Sequence, residues 1–186
     1  MARRILRFDA PDRFIAGAIG EPGQRIFHLQ ATEGGRSSAV IVEKSQVAIL
    51  ARRIAEMLKD LGEGAEIGLP PAGSPLPTSA PKLSEPLDAQ FRVGTIALAW
   101  DPSLNRLILE FRDDMNDEDA SDAPPPMNDA PDGPDVLRVS LSPAAALTFA
   151  ERALQLAAAG RPPCPNCGAP LEATGHRCAR KAAYLN

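Results

Sequence analysis

Six prolines (Pro70, Pro71, Pro75, Pro77, Pro81 and Pro86) fall between residues 68 and 86, with Gly and Ser among them. Proline fixes φ and lacks an amide hydrogen, so neither a helix interior nor a central strand runs through such a stretch. The composition is that of an extended linker. Whatever folds must therefore be assembled from the flanks, 1–67 and 87–160.

Both flanks carry strand patterns followed by one helix pattern. In the first, Arg3 to Phe8 is a short strand ending at the turn Asp9-Ala10-Pro11-Asp12. Phe14 to Ile19 and Arg25 to Gln30 flank Pro22-Gly23 and predict a hairpin. Ala39 to Glu43 is a further strand. Ser45 is placed to cap a helix in which Val47, Leu50, Ile54, Leu58 and Leu61 recur at helical spacing, and Gly62 stops it. In the second flank, Phe91-Arg92-Val93-Gly94-Thr95-Ile96 echoes Phe14-Ile15-Ala16-Gly17-Ala18-Ile19. The turn Asp101-Pro102-Ser103 precedes a strand through Leu107, Leu109 and Phe111, and another runs through Leu137, Val139 and Leu141. Ser142-Pro143 then opens a helix to Ala159, with Ser as N-cap and Pro in the first turn. Aligning Phe14 with Phe91 and Ser45 with Ser142 predicts an internal duplication of two βββα halves. The expected fold is α+β: one largely antiparallel sheet with both helices on one face.

Aromatic residues make up only 4% of the 186 residues, so the core must be built from aliphatic side chains. The net charge of −4 is set locally. Residues 113–135 hold nine acids (Asp113, Asp114, Asp117, Glu118, Asp119, Asp122, Asp129, Asp132, Asp135) and no base, leaving fifteen acids against twenty bases elsewhere. Acidic, proline-rich stretches of this kind are usually disordered. A divalent cation is the rival reading, although the spacing does not fit an EF-hand loop. Apolar runs are too short to span a membrane.

All three cysteines fall within fifteen positions, Cys164, Cys167 and Cys178, together with His176. Three thiolates and one imidazole make a complete tetrahedral set for a structural Zn²⁺. Pro165 presets the turn between the first two cysteines. The tail 161–186 thus reads as a zinc-ribbon-like appendage on an α+β body spanning 1–160. A disulfide with one thiol left over is the rival. Met1-Ala2-Arg3-Arg4 leads to no apolar signal region, however, which places the chain in the reducing cytoplasm and favours metal. A redox Cys-x-x-Cys would sit where a strand enters a helix, whereas this one sits among Pro162, Pro163 and Pro165. Four protein ligands leave no open position for catalysis. The half-match to a zinc-deaminase signature fails because Gln30 stands where His28-x-Glu is needed.

The segment Phe8-Asp9-Ala10-Pro11-Asp12-Arg13-Phe14-Ile15-Ala16-Gly17, with Gly20-Glu21-Pro22-Gly23, Phe27-His28-Leu29-Gln30-Ala31 and the tail Cys164 to Cys178, resembles an uncharacterised family of high-GC bacteria, domain of unknown function 3090. The resemblance spans nearly the whole chain. It departs at Ala179, where the family has Pro, a position that is not a ligand. It implies no catalytic residue and no substrate, and hints at a phosphate-linked pathway.

No nucleophile elbow, phosphate loop or dinucleotide fingerprint is present. His28, between Phe27 and Leu29, reads as a structural histidine, and Arg52 and Arg53 as solvated charges on the first helix. Two function classes remain. One is a non-enzymatic, zinc-binding adaptor that meets another protein. The other is an enzyme or small-ligand binder with a cleft between the two halves. The absence of any catalytic cluster favours the adaptor. Four bases in the tail (Arg161, Arg177, Arg180, Lys181) make a thin footprint for nucleic acid.

Overall fold

A computed structural model describes residues 3–21, 23–62, 81–114, 127–160, 164–167 and 178. Most of the proline-rich linker, the centre of the acidic insert and His176 lie outside them. The element order is β1 (Ile5–Phe8), β2 (Arg13–Ile19), β3 (Ile26–Glu33), β4 (Arg36–Val42), α1 (Lys44–Asp60), β5 (Ala89–Arg92), β6 (Ile96–Asp101), β7 (Arg106–Arg112), β8 (Val136–Leu141) and α2 (Pro143–Ala158).

The strands form two four-stranded sheets, where the sequence predicted one. Their orders are β1-β8-β7-β6 and β5-β4-β3-β2. In each sheet three strands pair antiparallel in chain order. The fourth is the first strand of the opposite half, added in parallel: β1 on β8 and β5 on β4. Neither sheet is built from one half alone. The sequence pattern cannot reveal this exchange, because a short apolar run carries no mark of its pairing partner.

Two details of the expected repeat change with it. Phe14 lies in β2 and Phe91 in β5, which hold different places in the topology, so their likeness is one of composition. Ser45 sits inside α1, and the helix is capped by Glu43 through a capping box with Gln46. Gln46 Oε1 accepts the Glu43 amide at 2.8 Å. Ser142 does cap α2, its hydroxyl accepting the Ala145 amide at 3.3 Å.

Registering the halves by their ladders and caps gives a consistent match instead. Leu29 pairs with Val40 as Leu109 pairs with Val139. From there Val42 matches Leu141, cap Glu43 matches cap Ser142, and Leu50, Ala51 and Ile54 match Phe149, Ala150 and Ala153. All the matched apolar residues are buried.

A single hydrophobic cluster joins the inward faces of both sheets to both helices, with Leu29, Val40, Leu109, Val139, Leu50 and Phe149 among its members. The helices pack on each other, and α2 also packs on β2. The outward faces are covered by described ends of the irregular segments. On one sheet, Gln30 exchanges hydrogen bonds with the Ser84 backbone, donating to the carbonyl at 2.9 Å and accepting the amide at 2.8 Å. A Cβ added at Gly17 would lie 2.5 Å from the Leu83 side chain, so only glycine admits this approach. On the other sheet, Glu110 accepts the Met127 amide at 3.1 Å and pairs with Arg138 at 2.6 Å.

The flanks of the acidic insert are tied to bases of the body. Asp135 pairs with Arg4 at 2.6 Å, and Asp129 pairs with Arg138 at 2.7 Å and with Arg7. These guanidinium contacts hold the Asp129 carboxyl below its ordinary range.

Candidate functional site

Two sites emerge from this scaffold. The first is the cysteine cluster. Cys164 follows closely on the end of α2, and residues 165–167 form a turn that brings Cys167 back beside it. Cys178 joins them from across the intervening segment. The three Sγ atoms lie within 4.8 Å of one another, and all three cysteines are free of disulfides.

The spacing discriminates between the chemistries open to them. Cys164 Sγ and Cys178 Sγ are 3.9 Å apart. A disulfide requires about 2.05 Å. Tetrahedral coordination with metal–sulfur bonds of about 2.3 Å places sulfurs roughly 3.8 Å apart. The geometry is that of a thiolate cluster able to hold a metal ion.

Its electrostatics agree. The backbone amides of Asn166 and Cys167 donate to the Cys164 sulfur and lower its pKa to about 7. Cys164 is buried and Cys167 and Cys178 are half-buried, so the three sulfurs are partly shielded from water. His176, the expected fourth ligand, lies outside the described residues.

The second site lies between the two halves, where the sequence allowed for a cleft, but its lining was not read as a site from the sequence. A groove of about 730 Å³ opens between α1 and β6. Its apolar lining is Ile49, Leu50, Met57 and Leu61 from the helix with Ile96, Leu98 and Trp100 from the strand, and Arg53, Glu56 and Asp60 carry its charge. Ile96, Leu98 and Trp100 alternate along the strand, so they share one face. Ile49 on the helix is 57% exposed and Leu61 at its C-cap 42%, and with the strand residues they form one apolar patch.

The groove exists because matched contacts of the two halves are filled differently. Where α2 meets β2, Phe14 stacks on Phe149 with ring centroids 4.6 Å apart, and Phe14 meets Phe111 at 5.9 Å. The ladder and cap matches place Ile96 where Phe14 stands, Leu50 for Phe149 and Ala31 for Phe111. Three rings on one side are thus two aliphatic chains and a methyl on the other. Ala16 and Ala18 on β2 let α2 come close, whereas their counterparts Leu98 and Trp100 hold α1 away. Accordingly α1 makes no approach to β6 comparable to that of α2 on β2.

His28 is buried, with Nδ1 finding no hydrogen-bond partner among the described residues. Burial lowers its pKa, partly offset by a hydrogen bond with the Ile26 backbone. It lines neither site. Arg53, read from the sequence as a solvated charge, pairs with Glu56 at 3.1 Å on the rim of the groove. The signals that could have found the groove were the alternation Ile96, Leu98, Trp100 and the apolar Ile49, which lies off the helix's buried stripe; Leu61, read as part of that stripe, is 42% exposed.

No helix among the described residues is long and apolar enough to cross a membrane. Comparison with curated proteins and with solved structures gives no match. Residues 6–178 match the family model described as "Protein of unknown function (DUF3090)", and the chain belongs to that family.

Proposed function

We propose that this chain is a non-enzymatic binding protein of the cytoplasm whose C-terminal segment is held in one shape by a single structural zinc. Cys164, Cys167 and Cys178 are three of the ligands, and His176 is the fourth. The observation that carries the reading is the 3.9 Å separation of the Cys164 and Cys178 sulfurs, which suits zinc and not a disulfide. When bound, the metal contributes folding free energy to a segment too small to build a core of its own. Four protein ligands leave it no open position, so its role is to fix shape. A loop of fixed shape loses little entropy on association, which suits recognition of another protein. The exchanged-strand architecture and the matched caps and core positions support descent of the two halves from one duplicated unit.

Elemental analysis of the purified chain tests the metal. One zinc per chain, lost together with the ordered tail in Cys167→Ser, is the expected result. Metal-free protein whose tail remains ordered overturns it.

A second reading, a small-ligand binder with a cleft between the halves, draws support from the α1–β6 groove. Residues 46–61 of the first half and 94–100 of the second line it. Its ionisable groups do not assemble a nucleophile with a base, so binding rather than catalysis is the reading it supports.

A further inference from the structure

We propose that the α1–β6 groove binds a small organic amine: a flat apolar body carrying one cationic nitrogen. This deepens the second reading above and is independent of the zinc, because none of the three cysteines lines the groove.

Size comes first. A volume of about 730 Å³ lies within the range of roughly 300–1,000 Å³ typical of small-molecule sites. The lining is of the matching kind, apolar side chains with a few charged groups. Shape follows from the comparison of the two halves. The space corresponds to the one that Phe14, Phe149 and Phe111 fill with stacked rings on the other side. Of the matched residues, Ile96 and Leu50 line the groove while Ala31 is buried, and a planar apolar group replaces the missing ring area. Trp100 on the strand and Met57 on the helix are surfaces that favour aromatic contact.

Charge selects the class. Among the described lining residues there are two carboxylates, Glu56 and Asp60, against one base. That base is already engaged, because Arg53 Nη1 lies 3.1 Å from Glu56 Oε2. Glu56 and Asp60 are four residues apart on α1 and so share a face. A cation entering the groove finds a second carboxylate, Asp60, and an indole, Trp100, in the same lining, and carboxylate with aromatic ring is the combination that recognises ammonium groups. An anionic ligand would meet a net negative rim and no spare base among the described lining residues.

Trp100 is the only tryptophan of the chain, so its fluorescence reports the groove alone. The zinc-loaded chain is titrated with naphthylethylamine and, in parallel, with naphthylacetate, which has the same ring and the opposite charge. The ring absorbs near tryptophan, so Trp100 is excited at the red edge of its band, and calorimetry provides a second readout.

The amine is expected to saturate the signal and to bind about ten-fold or more tighter than the acid, the size of one charge-assisted contact. Asp60→Asn should remove most of that difference while leaving ring binding in place. Ile49→Arg, at an exposed position that the fold tolerates, should weaken the amine by a similar factor. Equal binding of amine and acid overturns the assignment of class. So does binding that Ile49→Arg leaves unchanged, or no binding at all. A dimer that Ile49→Arg dissociates would make a second copy the occupant and would also overturn it. The zinc reading is judged separately: Cys167→Ser should lose metal and keep amine binding.

Discussion

Gln30 and Glu110 occupy the same place in the two sheets, one residue after the matched Leu29 and Leu109, and each fastens the segment that covers its sheet's outer face. Gln30 does so with neutral hydrogen bonds to the Ser84 backbone. Glu110 does so as a fully buried carboxylate, accepting the Met127 amide and pairing with Arg138. Both are buried polar groups that take a backbone partner from irregular chain, Ser84 and Met127. The ends of the proline-rich and acidic stretches are therefore part of the packed structure.

The buried pair is the costlier device, because removing one partner leaves a charge without compensation. Glu110→Leu is expected to destabilise the chain by about 3–5 kcal/mol in urea unfolding. Arg138 has a second carboxylate at 2.7 Å, Asp129, which should bring the cost toward the lower end. The double variant Glu110→Leu/Arg138→Met should cost less than Glu110→Leu alone. A double variant as costly as Glu110→Leu would show that the charge left on Arg138 is not the source of the cost.

The caps make a sharper comparison. Ser142→Ala removes the hydroxyl that accepts the Ala145 amide and should cost about 1 kcal/mol. Ser45→Ala, inside α1, should change stability by less than about 0.5 kcal/mol. Glu43→Ala, which breaks the capping box, should resemble Ser142→Ala. Thermal unfolding of the three variants checks the assignment.

Most elements were legible in the sequence because they depend on neighbours, although Phe91 to Ile96, read as one unit, divides between β5 and β6 of different sheets. Alternation at Leu107, Leu109 and Phe111 and the helical spacing of Val47, Leu50, Ile54 and Leu58 mark strand and helix whatever the fold. The exchange of β1 and β5 between sheets was not legible. Ile5–Phe8 and Ala89–Arg92 are four residues each, and only long-range register tells which ladder they join. The cysteine cluster was legible because its three members lie close in sequence. The groove was not, since it arises from a difference between two contacts, Phe14 with Phe149 against Ile96 with Leu50, that becomes visible only when the halves are registered in space.

His28 supplies a pH dependence whose sign is fixed by its burial. Its folded pKa lies below the ordinary imidazole value of 6.5. As pH falls through that value the unfolded chain takes up the proton first, so unfolding gains protons and stability drops. The loss begins near the unfolded value, continues down to the folded pKa and then levels off. Above neutral pH the contribution is complete and flat. Urea midpoints at pH 7.5 and 5.5 should therefore differ more for the native sequence than for His28→Gln. An equal difference in both proteins would show that His28 is not protonated on unfolding.

The last prediction separates the filled contact from the open one. Phe14 is 8% exposed, stacked on Phe149 and touching Phe111, so truncation removes a ring from a packed cluster and leaves a cavity there. Phe14→Ala should cost about 3–5 kcal/mol. Ile96, its counterpart, lines the groove, where part of the side chain already faces space rather than packed atoms. Ile96→Ala loses the transfer free energy of its buried part with little new cavity, and about 1–2 kcal/mol is expected. The amine of the groove should bind only the folded chain, so it should raise the unfolding midpoint of the native sequence by mass action. That rise should shrink in Ile96→Ala, which loses ring contact, and persist in Phe14→Ala, which leaves the groove intact. If both truncations cost the same and both abolish the rise, the two contacts are equally packed, and the groove is no more than a surface crease.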